Sequence, residues 1–275
     1  MNTPAAMDAR MPDDALDALP VLAVQDLGFR FPGASVDAVS GASLSLYPGE
    51  VLAIVGESGS GKSTLLDCIA GRRTPQAGSV RYRTRAAQWV DVHAMPERQR
   101  RELARTEWGH VVQHAHEGLR MHVSAGANIG ERLMAMGQRH HGQLREQASD
   151  WMRRVELDAH RIDDLPGEFS GGMRQRLQIA RNLVTHPRLV LMDEPTTGLD
   201  VSVQARLLDL LRLLVSRLHL SALVVTHDLG VARLLAHRTV VMQHGRVVEE
   251  GLTDRVLDDP RHPYTQLLVS SVVTP

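Results

Sequence analysis

The most specific chemical pattern in the chain lies at residues 56–63. The sequence there is Gly-Glu-Ser-Gly-Ser-Gly-Lys-Ser, which has the spacing of a phosphate-binding loop. Glycines allow backbone N–H groups to close around a phosphate, Lys62 can place a charge on the β and γ phosphate oxygens, and the Ser63 hydroxyl can bind Mg²⁺. Because a strand-like apolar run at 51–55 precedes the segment and a helical pattern follows it, we predict a phosphate cradle rather than an ordinary glycine-rich turn.

Two adjacent carboxylates, Asp193 and Glu194, directly follow a second apolar run at 189–192. Ligands bind where parallel strands end, so these side chains are expected near the same phosphate. Asp193 can lie beside the Mg²⁺ at Ser63, and Glu194 can orient or deprotonate an attacking water. Taken alone, this sequence is more typical of a turn or a helix cap. Together with the loop at 56–63 it indicates nucleotide hydrolysis.

A third pattern, Ser170-Gly171-Gly172-Met173, precedes a helical stretch. A serine N-cap followed by glycines makes a helix start that can bind an anion. One chain has only one γ-phosphate to hold, so a second phosphate-facing segment suggests action on the nucleotide of another chain. An ordinary serine-capped helix is the alternative that this pattern alone leaves open.

The elements that must position these groups alternate between strands and helices. Short apolar runs bounded by turn residues predict strands at 21–24, 42–46, 51–55, 189–192 and 222–226, and a strand pair within 79–92. Helical spacing predicts helices after Lys62, at 96–105, through 124–166 and between the last two strands. This order favours an α/β fold with a parallel sheet covered on both faces.

Composition narrows the setting and the partners. The 275 residues carry 31 basic and 32 acidic side chains, for a formal net charge of -1, so no net field favours nucleic acid or an anionic membrane. The one cysteine, Cys68, excludes an internal disulfide, suits a reducing cytoplasm and is expected to be an inert core thiol. No apolar run approaches the roughly 20 residues of a membrane span. Residues 1–20 are interpreted as a mobile tail without a signal peptide.

The ordered set of motifs resembles the ATP-binding cassette (ABC) family of ATPases from about residue 21 onward. The set comprises GESGSGKS at 56–63, Gln113, FSGGM at 169–173, LVLMDEP at 189–195, TGLD at 197–200 and His227. The resemblance implies a P-loop NTPase fold, an α/β ABC ATPase core within residues 21–273. That core has a mostly parallel sheet, a helical subdomain at about 124–166 and an N-terminal antiparallel β subdomain. The resemblance also implies Mg²⁺-dependent ATP hydrolysis in a site completed by a second cassette, in a homo- or heterodimer.

Carried over residue by residue, the resemblance assigns catalytic roles and nucleotide contacts. The implied catalytic residues are Glu194, His227 and Gln113, and the implied Mg²⁺ contacts are Ser63, Gln113 and Asp193. Phe31 matches the aromatic that stacks on adenine, whereas Ser170, Gly171, Gly172 and Asp200 match residues at the interface with the partner cassette. The other implied ATP contacts are Gly56, Glu57, Ser58, Gly59, Ser60, Gly61, Lys62, Ser63 and Thr64. Met173 replaces the usual glutamine, which predicts a weaker contact with the partner's phosphate.

Two branches of the family share further segments with this chain. Residues 259–268, Asp-Pro-Arg-His-Pro-Tyr-Thr-Gln-Leu-Leu, resemble the ATPases of peptide and nickel importers. Residues 105–109, 126–134, 162–166 and 181–187 look more like the ATP-binding proteins of bacterial carbon-phosphorus lyase systems for phosphonate breakdown. The closer resemblance implies a cytoplasmic cassette that docks on a soluble lyase core. The alternative is the nucleotide-binding subunit of a membrane permease for peptides, nickel or phosphonates.

Other classes of protein fit less well. A DNA-repair or chromosome-maintenance ATPase would carry a long heptad insert between the phosphate loop and the Ser170 segment. No sustained heptads occur there, so no nucleic-acid partner is expected. A non-hydrolysing assembly module is disfavoured because Glu194 and His227 are both present.

A docking surface for the partner is expected near Gln113. This region contains Trp108, His110, His114, His116, Leu119, Met121 and His122. These side chains combine apolar and hydrogen-bonding groups, as protein interfaces do. The alternative is that Trp108 and Met121 belong to the core and the histidines are only solvated. Residues 84–92 exceed the family pattern, and the sequence leaves their role open.

Overall fold

The computed structural model describes residues 19–272. Residues 1–18, which hold most of the tail expected at 1–20, and residues 273–275 lie outside this range. Within it, the strands form two sheets, one of four strands and one of six.

The N-terminal sheet is antiparallel, with the strand order β2-β1-β4-β5. Its strands are β1 Leu22–Phe29, β2 Val39–Leu46, β4 Ala77–Arg83 and β5 Trp89–Asp91. β1 is longer than the apolar run at 21–24. Asp26 has a left-handed backbone (φ 45°) at an irregularity in the pairing, after which Leu27 and Phe29 return to the core.

The second sheet is mostly parallel, as predicted, with the order β10-β9-β3-β8-β7-β6. Its strands are β3 Val51–Val55, β6 Trp108–Val111, β7 Leu189–Asp193, β8 Ser221–Thr226, β9 Arg238–Gln243 and β10 Arg246–Leu252. Only β10 pairs antiparallel, with β9. The sequence pattern indicated β3, β7 and β8 but missed β6, β9 and β10.

Helices cover both faces of this sheet. They are α1 Lys62–Ile69, α2 Glu97–Thr106, α3 Ala115–Gly118, α4 Ala125–Ala135, α5 His141–Arg154, α6 Gly171–Leu183, α7 Val201–Leu218, α8 Leu229–Leu235, α9 Thr253–Asp258 and α10 Pro263–Val272. Two short 3₁₀ helices, Ala159–Asp163 and Pro166–Glu168, connect α5 to α6. Among the described residues, no helix is long and apolar enough to cross a membrane.

The central strand β3 explains why the sheet needs cover on both sides. All five of its residues are buried. Val51, Ala53 and Val55 pack into one apolar cluster with residues of α4 to α7, whereas Leu52 and Ile54 pack into another with α1 and the antiparallel sheet. Successive side chains of a strand point to opposite faces, so each face of the sheet has its own core.

Cys68 lies fully buried in the second of these clusters. Burial raises the pKa of its thiol to about 12. The thiolate, which is the reactive form, is therefore disfavoured. The expectation of an inert core thiol is confirmed.

The expected docking surface is wrong for its apolar members. Trp108 and Leu119 are buried, at 3% and 6% exposure, and Met121 packs against the core. Trp108 fills the space between the two sheets, where its ring meets Tyr82 edge to face at 5.2 Å. Burial lowers the pKa of His110 to about 3. The remaining histidines of the segment, His114, His116 and His122, are exposed.

The loop between β4 and β5 ties the two sheets together. Glu107 precedes β6, and its carboxylate accepts hydrogen bonds from the Tyr82 hydroxyl (2.8 Å) and the Arg85 backbone N–H (3.0 Å). In return, Arg188, just before β7, donates from its guanidinium to the Thr84 carbonyl at 3.0 Å. Residues 84–88 therefore brace the antiparallel sheet against the starts of β6 and β7.

We expect Tyr82→Phe to lower the free energy of unfolding by about 1–3 kcal/mol, because the hydrogen bond from the hydroxyl of the buried Tyr82 to Glu107 is lost. Urea titration measures the change. Tyr47→Phe, at a partly exposed tyrosine after β2, is the control and should change stability less. Equal stability of Tyr82→Phe and the wild type would contradict the bracing role.

Candidate active site

Four neighbouring strands of the parallel sheet deliver the chemically active residues to one edge. The loop at 56–63 follows β3, Gln113 follows β6, Asp193 and Glu194 mark the end of β7, and His227 follows β8. These strands are parallel and adjacent in the order β3-β8-β7-β6. Their carboxyl ends therefore meet, and motifs far apart in sequence become neighbours.

The phosphate-binding loop packs tightly on one side and is open on the other. Gly61 has a φ of 101°, and a Cβ atom there would overlap the carbonyl oxygen of Ala38. A Cβ atom at Gly56 would likewise overlap the carbonyl oxygen of Met242. Gly59, by contrast, has open space around it. Glycine is thus required where the loop meets neighbouring backbone, and the outer side leaves room for a ligand.

Lys62, the first residue of α1, is folded back into its own loop. Its Nζ donates to the carbonyl oxygens of Gly56 (2.8 Å) and Glu57 (2.7 Å), and only 6% of the residue is exposed. Desolvation lowers its pKa, against the opposing charges of Glu194 and Asp193. The ammonium can exchange these carbonyls for phosphate oxygens without leaving the loop.

Ser63 and Asp193 meet across the end of the sheet. The Ser63 hydroxyl donates to Asp193 Oδ1 at 3.0 Å. Burial raises the pKa of Asp193, while the bond from Ser63 lowers it. No group of three or more His, Cys, Asp or Glu side chains that could hold a metal occurs among residues 19–272. One hydroxyl and one carboxylate nevertheless fit Mg²⁺, which takes its other ligands from phosphate oxygens and water.

Glu194 adopts a left-handed backbone conformation, with a φ of 45°. In a regular strand its side chain would point away from that of Asp193, and the left-handed turn lets both carboxylates serve the same edge. Glu194 Oε1 accepts hydrogen bonds from the His227 backbone N–H (3.1 Å) and Nδ1 (2.7 Å), and Oε2 accepts from the Thr197 hydroxyl (3.0 Å). Such conformations cost about 1–3 kcal/mol and cluster at functional sites.

These groups line a cavity of about 660 Å³, a size typical of sites for small molecules. Of the predicted site residues, the lining includes Phe31, Gly56, Glu57, Ser58, Gly59, Gly61, Lys62, Ser63, Thr64, Gln113, Glu194 and His227. Ser60 is buried within the loop, and Asp193 reaches the site through Ser63. Ala38 and Leu268 also line the cavity and were not predicted.

Phe31 is held at this cavity by two neighbours. It is 38% exposed, its ring meets that of buried Phe29 edge to face at 5.0 Å, and the Arg73 guanidinium lies 4.9 Å from its ring centre. Arg73 is in turn fixed by Asp67 at 3.0 Å. A partly exposed ring in a fixed position can stack on a planar base.

The segment at Ser170 does not line this cavity. The Ser170 Oγ caps α6 by accepting the Met173 backbone N–H at 3.3 Å. A Cβ atom at Gly171 would lie 3.7 Å from the Leu199 side chain, so the segment adjoins the loop that carries Asp200. Ser170, Gly171 and Asp200 are exposed and form a second surface outside the cavity.

The next two residues of this segment, Gly172 and Met173, have structural roles. Gly172 is buried, and a Cβ atom there would overlap the Val203 side chain of α7. The Met173 side chain packs against the core, with its sulfur 3.8 Å from Arg161 Nη1. The Ser170 hydroxyl and the start of α6 thus remain open to solvent. The side chain of Met173, which replaces the usual glutamine, packs against the core instead.

The family described as "ABC transporter" matches residues 39–197, more than half of the chain. The chain belongs to the ABC family. A second family, the C-terminal region of oligopeptide/dipeptide transporters, matches residues 248–275 of the cassette.

The cassette has curated relatives in two branches. It is 64% identical over 255 residues to the Escherichia coli (strain K12) protein named "Putative phosphonates utilization ATP-binding protein PhnK", covering 92% of this chain and 98% of the relative. It is 37% identical over 264 residues to the oligopeptide transport ATP-binding protein OppD of Bacillus subtilis (strain 168), covering 92% and 72% of the two chains.

Solved structures agree with this assignment. The dimeric post-hydrolysis structure of the ATP-binding cassette MJ0796 bound to ADP and Pi is similar at a TM-score of 0.75 and 27% identity, covering 84% of this chain and 98% of that one. CbiO1 from Clostridium perfringens, part of the ABC transporter complex cbiONQ, is similar at a TM-score of 0.76 and 25% identity, covering 87% and 91%. The predicted ABC fold is confirmed, and the cassette is an ATPase.

A ladder of buried amides in α6 holds the strand that precedes Gln113, and the sequence analysis missed it. Gln178 is fully buried; its Oε1 accepts the Val112 N–H at 2.6 Å, and its Nε2 donates to the Val112 carbonyl at 3.2 Å. Asn182, one turn on, accepts the His110 N–H at 2.9 Å. The helical spacing of polar residues at 175, 178 and 182, within an otherwise apolar face, was the signal available.

We expect Gln178→Leu to reduce kcat for ATP by about tenfold or more, because the Val112 peptide loses both partners and Gln113 its fixed position. The Kd for ATP should change less than about twofold, since the phosphate loop is not touched. Steady-state turnover and calorimetric titration measure the two. Gln143→Leu, exposed on α5, is the control. A lower ATP affinity with unchanged kcat would contradict the role given to the ladder.

Proposed function

We propose that this cassette is the ATP-hydrolysing subunit of a carbon-phosphorus lyase system for phosphonate breakdown. It works in the cytoplasm as a nucleotide-sandwich dimer on a soluble lyase core. The observation that carries the proposal is the 64% identity to the phosphonates utilization relative along nearly the full length of both chains. The peptide-import relative is far less similar and longer than this chain.

The residues of the cavity have the roles implied by the motifs. The loop at 56–64 binds the phosphates, with Lys62 moving from its own carbonyls to the β and γ oxygens, and Phe31 stacks on adenine. The Glu194 carboxylate orients the attacking water and accepts its proton, because hydrogen bonds from His227 and Thr197 fix both of its oxygens. Since the carboxylate can only accept, His227 Nδ1 carries the proton of that bond. Its Nε2 can donate to a γ-phosphate oxygen when the ring carries a proton on both nitrogens.

Mg²⁺ would be held by Ser63 and Gln113, with Asp193 beside it, and would neutralise charge on the β and γ phosphates. The Asp193 carboxylate keeps the Ser63 hydroxyl oriented at 3.0 Å. Gln113, at the end of the segment held by Gln178, lines the same cavity as Ser63 and Glu194.

A second cassette completes the site. Ser170, Gly171, Gly172 and Asp200 lie outside the cavity of their own chain, although they match residues that contact nucleotide in the family. The helix start at Ser170 presents N–H groups suited to a γ-phosphate. Ser170, Gly171 and Asp200, which are exposed, serve the nucleotide of the partner cassette, and Gly172, which is buried against Val203, allows the close packing of this helix start. The helices within residues 124–166 form the helical subdomain of the 21–273 cassette, and they pack in one apolar cluster with α6, which begins at Ser170.

The partner docks in an arginine-lined groove beside Gln113. The groove is about 400 Å³ in volume, and its described lining includes Arg72, Arg101, Arg105, Arg120, Arg132, Arg181 and the carboxylate of Glu117. Arg101 pairs with Glu97, and Arg120 and Arg181 share Glu131, so the arginines outnumber the carboxylates that neutralise them. Arg132 donates to backbone carbonyls, and burial lowers its pKa to about 10. A protein surface that presents carboxylates complements this charge, through bidentate pairs with guanidinium groups.

A membrane importer subunit is the second candidate. Residues 248–275 match the C-terminal region of oligopeptide/dipeptide transporters, and this observation favours it. In that case the same groove would receive a cytoplasmic segment of a membrane subunit for peptides, nickel or phosphonates. No nucleic acid takes part under either function.

For the chemistry, we expect Glu194→Gln to lower kcat by about 10²–10⁴-fold, because the amide cannot accept a proton from water. ATP affinity should remain within about threefold, and a closed dimer should accumulate with saturating ATP, as measured by sizing chromatography. Glu146→Gln, exposed on α5, controls for loss of a negative charge. Persistence of a monomer under saturating ATP, with and without lysate, would refute the composite site.

For the partner, we expect the double variant Arg101→Glu and Arg105→Glu to capture at least about tenfold less of the lyase proteins than wild type in pull-downs from phosphonate-grown cells. Arg212→Glu with Arg217→Glu on the exposed face of α7 makes the same charge change elsewhere and should capture as wild type does. Equal capture by the groove variant would refute this docking surface. Capture of a transmembrane subunit in place of lyase proteins would move the cassette to the importer branch.

A further inference from the structure

The C-terminal segment 259–268 has no part in the function described so far, yet it reaches the phosphate-binding loop. Tyr264, near the start of α10, is 7% exposed, and its hydroxyl oxygen accepts the backbone N–H of Glu57 at 3.0 Å. One helical turn later, Leu268 lines the nucleotide cavity. A segment more than 200 positions away in the chain thus makes a polar and an apolar contact at this site.

The position of Tyr264 is fixed by strand β10. The two carboxylate oxygens of Glu249 accept the backbone N–H groups of Arg261 (2.9 Å) and His262 (3.0 Å). His262 Nδ1 then accepts the Tyr264 N–H at 3.2 Å. The aromatic ring lies in the main apolar cluster. Hydrogen bonds to the backbone and the packing of the ring therefore fix the position of the Tyr264 hydroxyl.

Together with the sheet, these contacts form a closed series that includes the phosphate loop. β10 pairs with β9, and β9 pairs with β3, the strand that leads into the loop. From the loop, the Glu57 N–H leads to Tyr264, and from there Glu249 leads back to β10. The first residues of the loop are thus bonded to the C-terminal segment, which is itself bonded to β10 in the same sheet as β3.

Glu57 is held at both ends of its backbone. Its N–H is bound by Tyr264 and its carbonyl oxygen by Lys62 Nζ at 2.7 Å. When Lys62 turns to a phosphate, the carbonyl keeps its bond from the Ser60 N–H (3.2 Å), which lies within the loop. The Tyr264 hydroxyl is then the group that ties the Glu57 backbone to a segment outside the loop. We infer that Tyr264 is a positioning residue that keeps the phosphate loop in its binding conformation while Lys62 engages ATP.

The inference concerns ATP binding by this chain and does not depend on which partner the cassette serves. A loop already in its bound conformation loses less conformational freedom when ligand arrives, so the tether should raise affinity. It should leave the chemical step alone, because the hydrogen bonds of Glu194 and His227 among the described residues do not involve Tyr264.

The test is Tyr264→Phe in the full chain, with Tyr82→Phe as the matched control. Both substitutions remove one hydroxyl from a buried tyrosine, but Tyr82 bonds to Glu107 between the two sheets. We expect Tyr264→Phe to raise the Kd and the KM for ATP about three- to tenfold, with kcat within about twofold of wild type. Tyr82→Phe should lower the melting temperature and leave the Kd for ATP unchanged.

Hydrogen exchange gives a second measurement. Without nucleotide and with ATP, the amide of Glu57 should exchange faster in Tyr264→Phe than in wild type, and in Tyr82→Phe it should match wild type. An unchanged Kd in Tyr264→Phe would overturn the inference, and so would an equal rise of Kd in both variants, which would mark a general loss of stability. A fall in kcat at unchanged KM would also overturn it, since the hydroxyl would then act on the chemical step.

Discussion

The register of four parallel strands is the constraint on which the site depends. Val55 of β3 lies beside Thr226 of β8, and Val225 of β8 lies beside Asp193 of β7. The strands therefore end almost level, and the next residues along each chain meet. A slip of one residue between β7 and β8 would turn Asp193 to the opposite face, away from Ser63. Successive apolar residues of β3 pack into the cores on the two faces of the sheet, and this packing fixes the register. The packing of the interior therefore sets the positions of the residues at the site.

The left-handed backbone at Glu194 shows how the site departs from regular structure and what compensates for it. A β7 strand that continued regularly would place only one of the two carboxylates at the cavity. The structure accepts a conformation that costs about 1–3 kcal/mol. It offsets that cost with the Glu194 N–H bond to the Val225 carbonyl (2.9 Å) and with three bonds to the carboxylate oxygens. These bonds leave the carboxylate a single orientation.

Much of this arrangement could be read from the sequence because short motifs carry local rules. The run at 51–55 followed by glycines and Lys62 predicts a strand, a loop and a helix, and α/β topology then predicts that Asp193 and Glu194 share an edge with that loop. No local rule predicts contacts between residues that lie far apart in the sequence. Arg73 beneath Phe31, Gln178 behind Val112 and Leu268 in the cavity wall depend on how separate elements pack. The expected surface at Trp108 and Leu119 was wrong for the same reason, since a pattern of apolar and polar residues does not show which sheet will cover it.

Helix α6 connects the two halves of the proposed composite site within one chain. Its first turn carries Ser170 and Gly171, which face solvent, and its body carries Gln178 and Asn182, which hold the backbone of Val112 and His110. The helix is buried along most of its length and close-packed with its neighbours, so we expect it to shift as a unit. If binding of a second cassette's nucleotide at Ser170 shifts α6, the hydrogen bonds of Gln178 and Asn182 would pass that shift to the segment of Gln113. The same segment borders the arginine-lined groove, where Val112 and Asn182 form part of the wall. Closure of the dimer would therefore change the groove and the position of Gln113 together. ATP would then bind the closed and open states with different affinities, and a partner in the groove would respond to that difference.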